Sequence, residues 1–172
     1  MTDDQLIQRI HDSAILRGNF TLRSGRTSSY YIDKYLFETQ PDILAALGER
    51  FAKHLASEVT RVAGAELGGI PLVSATSMAA GLPSVLIRNQ KKDYGTAKQF
   101  EGKLDAGDAV MIVEDIVTSG GQVIEAAKAL QTAGAVVAKI VCVIDREEGG
   151  REAIEAAGFT FASLFTKTDL GL

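Results

Sequence analysis

Two hydrophobic patterns take turns along this chain: apolar residues at steps of three and four, and short, nearly unbroken runs rich in Val, Ile and Ala. The first predicts amphipathic helices and the second predicts strands buried on both faces. Thr2-Asp-Asp-Gln5 has the spacing of a capping box, and Leu6, Ile10 and Ala14 follow on one helical face until Gly18 ends the segment. From Gly18 to Asp33 short β-prone pieces flank the polar turn Arg23-Ser-Gly-Arg26, which predicts a hairpin. Pro41 suits the first turn of a helix capped by Thr39 or Gln40, with Leu44, Leu47, Phe51 and Leu55 as its apolar stripe.

The pattern then settles into strand, polar turn, helix. Val59 to Ala65 is an apolar strand that runs into Glu66-Leu-Gly-Gly-Ile-Pro71, and Pro71 opens a helix stopped by Gly81 and Pro83. Ser84 to Ile87 is a strand, whereas Arg88 to Gly102 has no apolar period and predicts an exposed loop of about fifteen residues. A strand from Val110 leads through Glu114-Asp115 and Thr118-Ser-Gly-Gly121 to a helix over Val123–Ala133, closed by Gly134. Val136 to Ile144 is the next strand. It ends in Asp145-Arg-Glu-Glu-Gly-Gly150, a helix reaches Ala157, and Thr160 to Phe165 is the last strand. Such alternation predicts an α/β fold with a central parallel sheet covered on both faces, in one domain over residues 1–172.

Composition narrows the function classes. The chain has 172 residues, 46% of them hydrophobic and 23% charged, with three prolines, the profile of an ordinary globular domain. A net charge of −4 gives no general field for nucleic acid, so a nucleic-acid partner is not expected and any basic site must be local. No apolar run approaches a membrane span of about 20 residues, and Met1-Thr-Asp-Asp is not a signal peptide, so no membrane partner and a cytoplasmic location are expected. Cys142 between valines reads as a small buried hydrophobe, and His11 and His54 have no partner at metal spacing.

Chemistry concentrates where strands end. Glycines and small hydroxyl residues at a helix start leave backbone N–H groups unpaired at the positive end of the helix dipole, so Thr118 to Gln122 forms a phosphate-sized nest. Glu114 and Asp115 repel such a phosphate. They suit neighbouring hydroxyl groups or a hydrated divalent cation. A phosphorylated sugar presents both needs, while the absence of Gly-Lys-Ser/Thr and of Gly-x-Gly-x-x-Gly removes the Walker and dinucleotide readings.

Other strand ends offer further groups. Arg88, Lys91, Lys92 and Lys98 gather positive charge on the long loop, either as a solvated surface or, beside a phosphate nest, as stabilisation for an anionic leaving group. Gly68-Gly69 is compatible with a diphosphate cradle and equally with a plain tight turn. Arg146 suits a planar carboxylate or amide, or a surface ion pair, and Arg23, Arg26 and Tyr30 are weaker candidates of the same kind.

Val113-Glu-Asp-Ile-Val-Thr-Ser-Gly-Gly121 resembles the phosphoribosyl diphosphate (PRPP) signature of the type I phosphoribosyltransferases. Gly18-Asn-Phe-Thr-Leu-Arg-Ser-Gly-Arg26, Glu66-Leu-Gly-Gly-Ile-Pro71, the Arg88-to-Gly95 loop and Asp145-Arg-Glu-Glu-Gly149 resemble, in family order, the motifs of orotate phosphoribosyltransferases. The resemblance spans nearly the whole chain. It implies a mostly parallel sheet flanked by helices, with residues 1–35 forming a small hood of helix and hairpin over the site. It further implies transfer of the phosphoribosyl group of PRPP to orotate with Mg2+, giving orotidine 5′-monophosphate and pyrophosphate.

Carried onto this sequence, the resemblance gives Glu114 and Asp115 the ribose hydroxyls and Ile116, Val117, Thr118, Ser119, Gly120, Gly121 and Gln122 the 5′-phosphate. Gly68, Gly69, Arg88, Lys91 and Lys92 fall to the diphosphate, with Asn89 and Tyr94 on the same loop, and Thr118, Arg146, Arg23 and Tyr30 to orotate. Lys92, Asp115 and Glu114 would carry the catalytic charges, with magnesium held mainly through PRPP and water. The implied assembly is a homodimer whose Arg88–Gly95 loop reaches the other subunit's site. Asn89 stands where a lysine is often found and Tyr94 where a histidine is often found. Another acceptor base, or a regulator that senses PRPP, is the alternative function.

Overall fold

The computed structural model describes residues 1–21, 25, 27–89 and 99–172. The chain opens with helix α1 (Asp3–Ala14), where Thr2 accepts from Gln5 N–H and the Gln5 side chain accepts from Thr2 N–H, the expected capping box. The helix ends at Ala14 rather than at Gly18: Ile15 is already extended and begins β1 (Ile15–Thr21), so Gly18 lies inside a strand. β1 pairs antiparallel with β2 (Thr27–Ile32), giving the expected hairpin as a two-stranded sheet of its own.

A short helix that periodicity could not show, α2 (Lys34–Glu38), follows with Asp33 as its N-cap, and α3 (Pro41–Ala52) begins at Pro41. The Thr39 hydroxyl bonds back to Tyr35 and Gln40 makes no side-chain cap, so neither residue caps α3. Next come β3 (Arg61–Ala65), α4 (Gly69–Ala80) and β4 (Ser84–Ile87). α4 starts two residues before Pro71, which makes Gly69 its first residue. The expected long loop contains a two-residue strand, β5 (Phe100–Glu101), antiparallel to β4. β6 (Ala109–Val117), α5 (Gly121–Thr132), β7 (Val136–Asp145), α6 (Gly150–Ala156) and β8 (Phe161–Thr166) complete the chain, with a 3-10 turn at Thr168–Leu170.

The main sheet has the order β5-β4-β3-β6-β7-β8, parallel except for β5. Both faces are buried, as the apolar strand sequences require. On β6, Met111 and Val113 pack with Leu6, Ile43, Phe51 and Leu72 from α1, α3 and α4. Val110 and Ile112 point the other way, toward Val123, Leu130 and Ile154 from α5 and α6. Cys142 belongs to this second layer, fully buried, and burial followed by the nearby Asp145 charge pushes its thiol pKa well up.

Strand order reverses between β3 and β6, because β3 connects to β4 on one side while β6 continues to β7 on the other. Such a switch point leaves a crevice beyond the strands' carboxyl ends. At the opposite end of the same two strands Arg61 Nε lies 2.5 Å from Asp108 Oδ2, and Thr60 donates to Asp108 Oδ1 at 2.8 Å, tying β3 to β6.

Candidate active site

The carboxyl ends of β3, β4 and β6 open into a cleft of ≈ 290 Å³ lined by Lys34, Glu66, Arg88, Asn89, Glu114, Asp115 and Gln122, among others. A smaller hollow adjoins it, lined by Glu114 and the run Ile116–Val123. Three groups of sequence candidates thus meet at one place: the acidic pair, the nest and the root of the basic loop. Arg23, Arg26, Lys91, Lys92, Tyr94 and Lys98 lie outside the described residues.

The two acids are part of β6 itself, which continues through them to Val117; Glu114 is in register with Cys142 of β7. Asp115 is 3% exposed and both its oxygens are engaged: Oδ2 accepts from Lys34 Nζ at 2.6 Å and Oδ1 from Ile116 N–H at 2.5 Å. Burial works against the charge on Lys34, but the Asp115 carboxylate, by charge and hydrogen bond, holds the lysine pKa above its ordinary value. Glu114 is half-buried, with Oε1 accepting from Asp115 N–H at 3.1 Å. Burial and then the Asp115 charge raise its pKa.

Past β6, Gly120 takes φ 76° and ψ −3° as the residue before α5, with no side chain capping the helix. A Cβ there would meet the Gly150 carbonyl and Ile154 at 3.0 Å, so both the left-handed conformation and the close packing of α5 on the α6 turn require glycine. Thr118, Ser119, Gly121 and Gln122 are exposed around the hollow. Backbone N–H groups in the first turn of a helix have no intrahelical acceptor, so this rim presents donors and the positive dipole end to an anion.

The Gly68-Gly69 turn stands against the acids from the β3 side. A methyl on Gly68 would collide with Asp115 Oδ2 and come within 3.1 Å of Glu38 Oε1. Glu66, at the head of the turn, holds the basic-loop root: its Oε1 accepts from Asn89 N–H at 2.8 Å and its carbonyl from Asn89 Nδ2 at 3.1 Å. Arg88 lines the cleft of its own chain, with its N–H bonded to the Gln99 carbonyl and its guanidinium 3.7 Å from Glu101.

Arg146 and Tyr30 form a separate corner. The Arg146 guanidinium sits 5.8 Å from the Tyr30 ring centroid and 3.0 Å from Glu148, while the Arg146 backbone N–H donates to the Val117 carbonyl beside the nest. The hairpin and the loop after β7 therefore meet next to Thr118. His11 lies beside Asp12, and His54 beside Lys139 with its pKa lowered by burial, away from both hollows.

Sequence reasoning did not single out Lys34 or Glu38. Both lie on the short helix α2, and among the described residues Lys34 is the one in the cleft lining contributed from before β3. Their spacing of four was the available signal, but five residues are too few to display an apolar period. Among the described residues, no group of three or more His, Cys, Asp or Glu could hold a metal ion. With both Asp115 oxygens engaged, the acids fit a cation that arrives on a substrate better than one held by the protein.

The family model described as "Phosphoribosyl transferase domain" matches residues 36–163. The chain is 47% identical over 169 residues to an orotate phosphoribosyltransferase of Halobacterium salinarum, covering 98% of this chain and 96% of that protein. It is also similar to the crystal structure of Mycobacterium tuberculosis H37Rv orotate phosphoribosyltransferase in complex with Fe(III) dicitrate, with TM-score 0.89, 31% identity and 99% of each chain covered. The same enzyme in complex with PRPP gives TM-score 0.82 at 30% identity, again with 99% of each chain covered.

Proposed function

Since the chain belongs to the orotate phosphoribosyltransferases, we propose that the cleft at the β3/β6 switch point is where it transfers the phosphoribosyl group of PRPP to orotate. This transfer yields orotidine 5′-monophosphate and pyrophosphate in pyrimidine biosynthesis. The observation that carries the placement is the junction of the buried carboxylate of Asp115 with an uncapped glycine nest two strand residues further on.

In this reading the ribose 5-phosphate spans the two hollows. The N–H groups and hydroxyls from Thr118 to Gln122 hold the 5′-phosphate, with Ile116 and Val117 shaping its approach, and Glu114 and Asp115 accept from the ribose hydroxyls. The diphosphate faces Gly68-Gly69 and Arg88, joined by Lys91 and Lys92. Orotate stacks toward the Arg146–Tyr30 corner, where a guanidinium can fork onto its carboxylate, with Thr118 and Arg23 at its edge.

Breaking the anomeric carbon–oxygen bond leaves a cationic ribose and an anionic diphosphate. Catalysis then requires charge stabilisation and exclusion of water more than a tuned acid or base. Asp115 and Glu114 stabilise the ribose side; Lys92 and Arg88 stabilise the leaving group. Magnesium, bound mainly through the diphosphate and water, supplies further positive charge there. The working form is a cytoplasmic homodimer: Arg88 lines its own chain's cleft, and the segment beyond it carries Lys91, Lys92 and Tyr94 toward the partner's site.

The test is to follow the loss of orotate absorbance with PRPP, with and without magnesium, and to repeat it with hypoxanthine and uracil as acceptors. Turnover of orotate alone, dependent on magnesium, is expected. Preference for either other base overturns the acceptor assignment.

A further inference from the structure

A carboxyl group that the transfer chemistry leaves without a role lies directly beneath the Gly68-Gly69 turn. Glu38, the last residue of α2, is 1% exposed, and neither side-chain oxygen has a hydrogen-bond partner among the described residues. Its Oε1 and Asp115 Oδ2 converge on the point where a Gly68 side chain would begin. An anion so placed should capture the nearest cation, and Lys34 stands one helical turn back at the spacing where lysine and glutamate pair. Lys34 instead reaches past it to Asp115, at 2.6 Å. A buried carboxylate without a partner is far more costly than a buried carboxylic acid. The charged and titratable groups facing Glu38 are Asp33 and Lys34 from its own segment and Glu114 and Asp115 from β6, three acids to one base.

Resting on the reading of Gly68-Gly69 as the diphosphate cradle, we propose that Glu38 is a positioning residue for the transfer reaction. Held as a neutral carboxylic acid under the turn, it leaves Lys34 to Asp115 and keeps a further negative charge away from the diphosphate. Burial first and the Asp115 charge second push its pKa up to about 9, so the acid form persists through neutral pH. Ionisation has two linked effects: Lys34 is drawn from Asp115 toward Glu38, and an anion faces the diphosphate across a glycine that offers no side chain to screen it. PRPP affinity therefore falls as pH rises through the Glu38 titration.

The experiment compares kcat/KM for PRPP against pH in the full-length enzyme and in Glu38→Gln, a neutral isostere that cannot ionise. Ionisations of the substrates are common to both proteins and cancel in the comparison. The expected result is neutral-pH activity within about twofold of the unsubstituted enzyme and loss of part of the alkaline decline, carried by KM rather than kcat. Superimposable profiles overturn the proposal. So does a tenfold or greater loss of neutral-pH activity in Glu38→Gln, which would mean that the ionised form is needed.

A second measurement covers the case in which Glu38→Gln does not fold. Carbon NMR of Glu114→Gln labelled at the glutamate δ-carbon should show one glutamate still protonated at pH 7, whereas ordinary titration of every glutamate overturns the proposal. That spectrum does not depend on what the turn binds. Failure of the diphosphate reading, visible as unaltered PRPP affinity in Gly68→Ala, is thus separable from failure here.

Discussion

Lys34 Nζ lies 2.6 Å from Asp115 Oδ2, joining residues 81 positions apart in the chain, and Asp115 has no other cation beside it among the described residues. Removing the ammonium leaves a carboxylate that is 3% exposed without its counter-charge. Lys34→Met should lower stability by about 2 kcal/mol, and the loss should shrink in an Asp115→Asn background. A double-mutant cycle in denaturant with no coupling between the two positions would refute the pairing as a stabilising one.

Gly68 is the point at which the β3 turn touches the acids. Gly68→Ala places a methyl against Asp115 Oδ2 and Glu38 Oε1, so either the turn or the carboxylate must shift. PRPP affinity should fall tenfold or more, about 1.4 kcal/mol, with a smaller effect on orotate. Titration calorimetry with PRPP checks this, and an unchanged dissociation constant removes the turn from the diphosphate site.

The ribose end and the leaving-group end should separate kinetically. Glu114→Gln combined with Asp115→Asn weakens PRPP binding, measured by calorimetry, through loss of hydroxyl acceptors. Lys92→Ala leaves the circular dichroism spectrum unchanged and lowers kcat by about a hundredfold or more, because one leaving-group cation is lost. An undiminished turnover number would take Lys92 out of the chemistry.

At the far end of the sheet, the hydrogen bond from Arg61 and then the Asp105 N–H hold Asp108 well below the usual carboxylate range, at about 2. A depressed folded-state pKa contributes stability that is present above the unfolded value near 4 and lost as pH falls toward 2. Asp108→Asn should therefore lower Tm by several degrees at neutral pH, and the gap should close in thermal melts taken progressively nearer pH 2. A gap that persists unchanged at pH 2 would contradict the ionic origin of the clamp.

Much of this architecture is legible in the sequence because burial on two faces leaves a strong local trace. Val110 to Val113 must be apolar throughout, since alternate residues serve opposite layers, and Thr2, Pro41 and Gly81 mark helix ends by local chemistry. The acidic pair and the nest are legible for a related reason: nine consecutive residues, Glu114 to Gln122, carry them. What escaped has a distant or a very short cause. β5 exists only because β4 offers it an edge, and Gly18 continues a strand because β2 pairs with β1. Lys34 and Glu38 acquire meaning only when α2 is packed under the β3 turn, a relationship that no stretch of sequence around them contains.

Among the described residues the hairpin bonds its two strands to each other and to no strand of the main sheet, and this divides the enzyme unequally. Asp115 to Val117 lie on β6 and Gly121 and Gln122 on α5, with Thr118 to Gly120 as the turn between them, and β6 is braced by β3 and β7. Tyr30 stands on a separate two-stranded ribbon and meets Arg146 through ring and guanidinium. On the proposed reading, exchanging the ribbon between Ala14 and Asp33 should change the fit to the base on the Tyr30 side alone, while the register of β6 with β3 and β7 stays as it is.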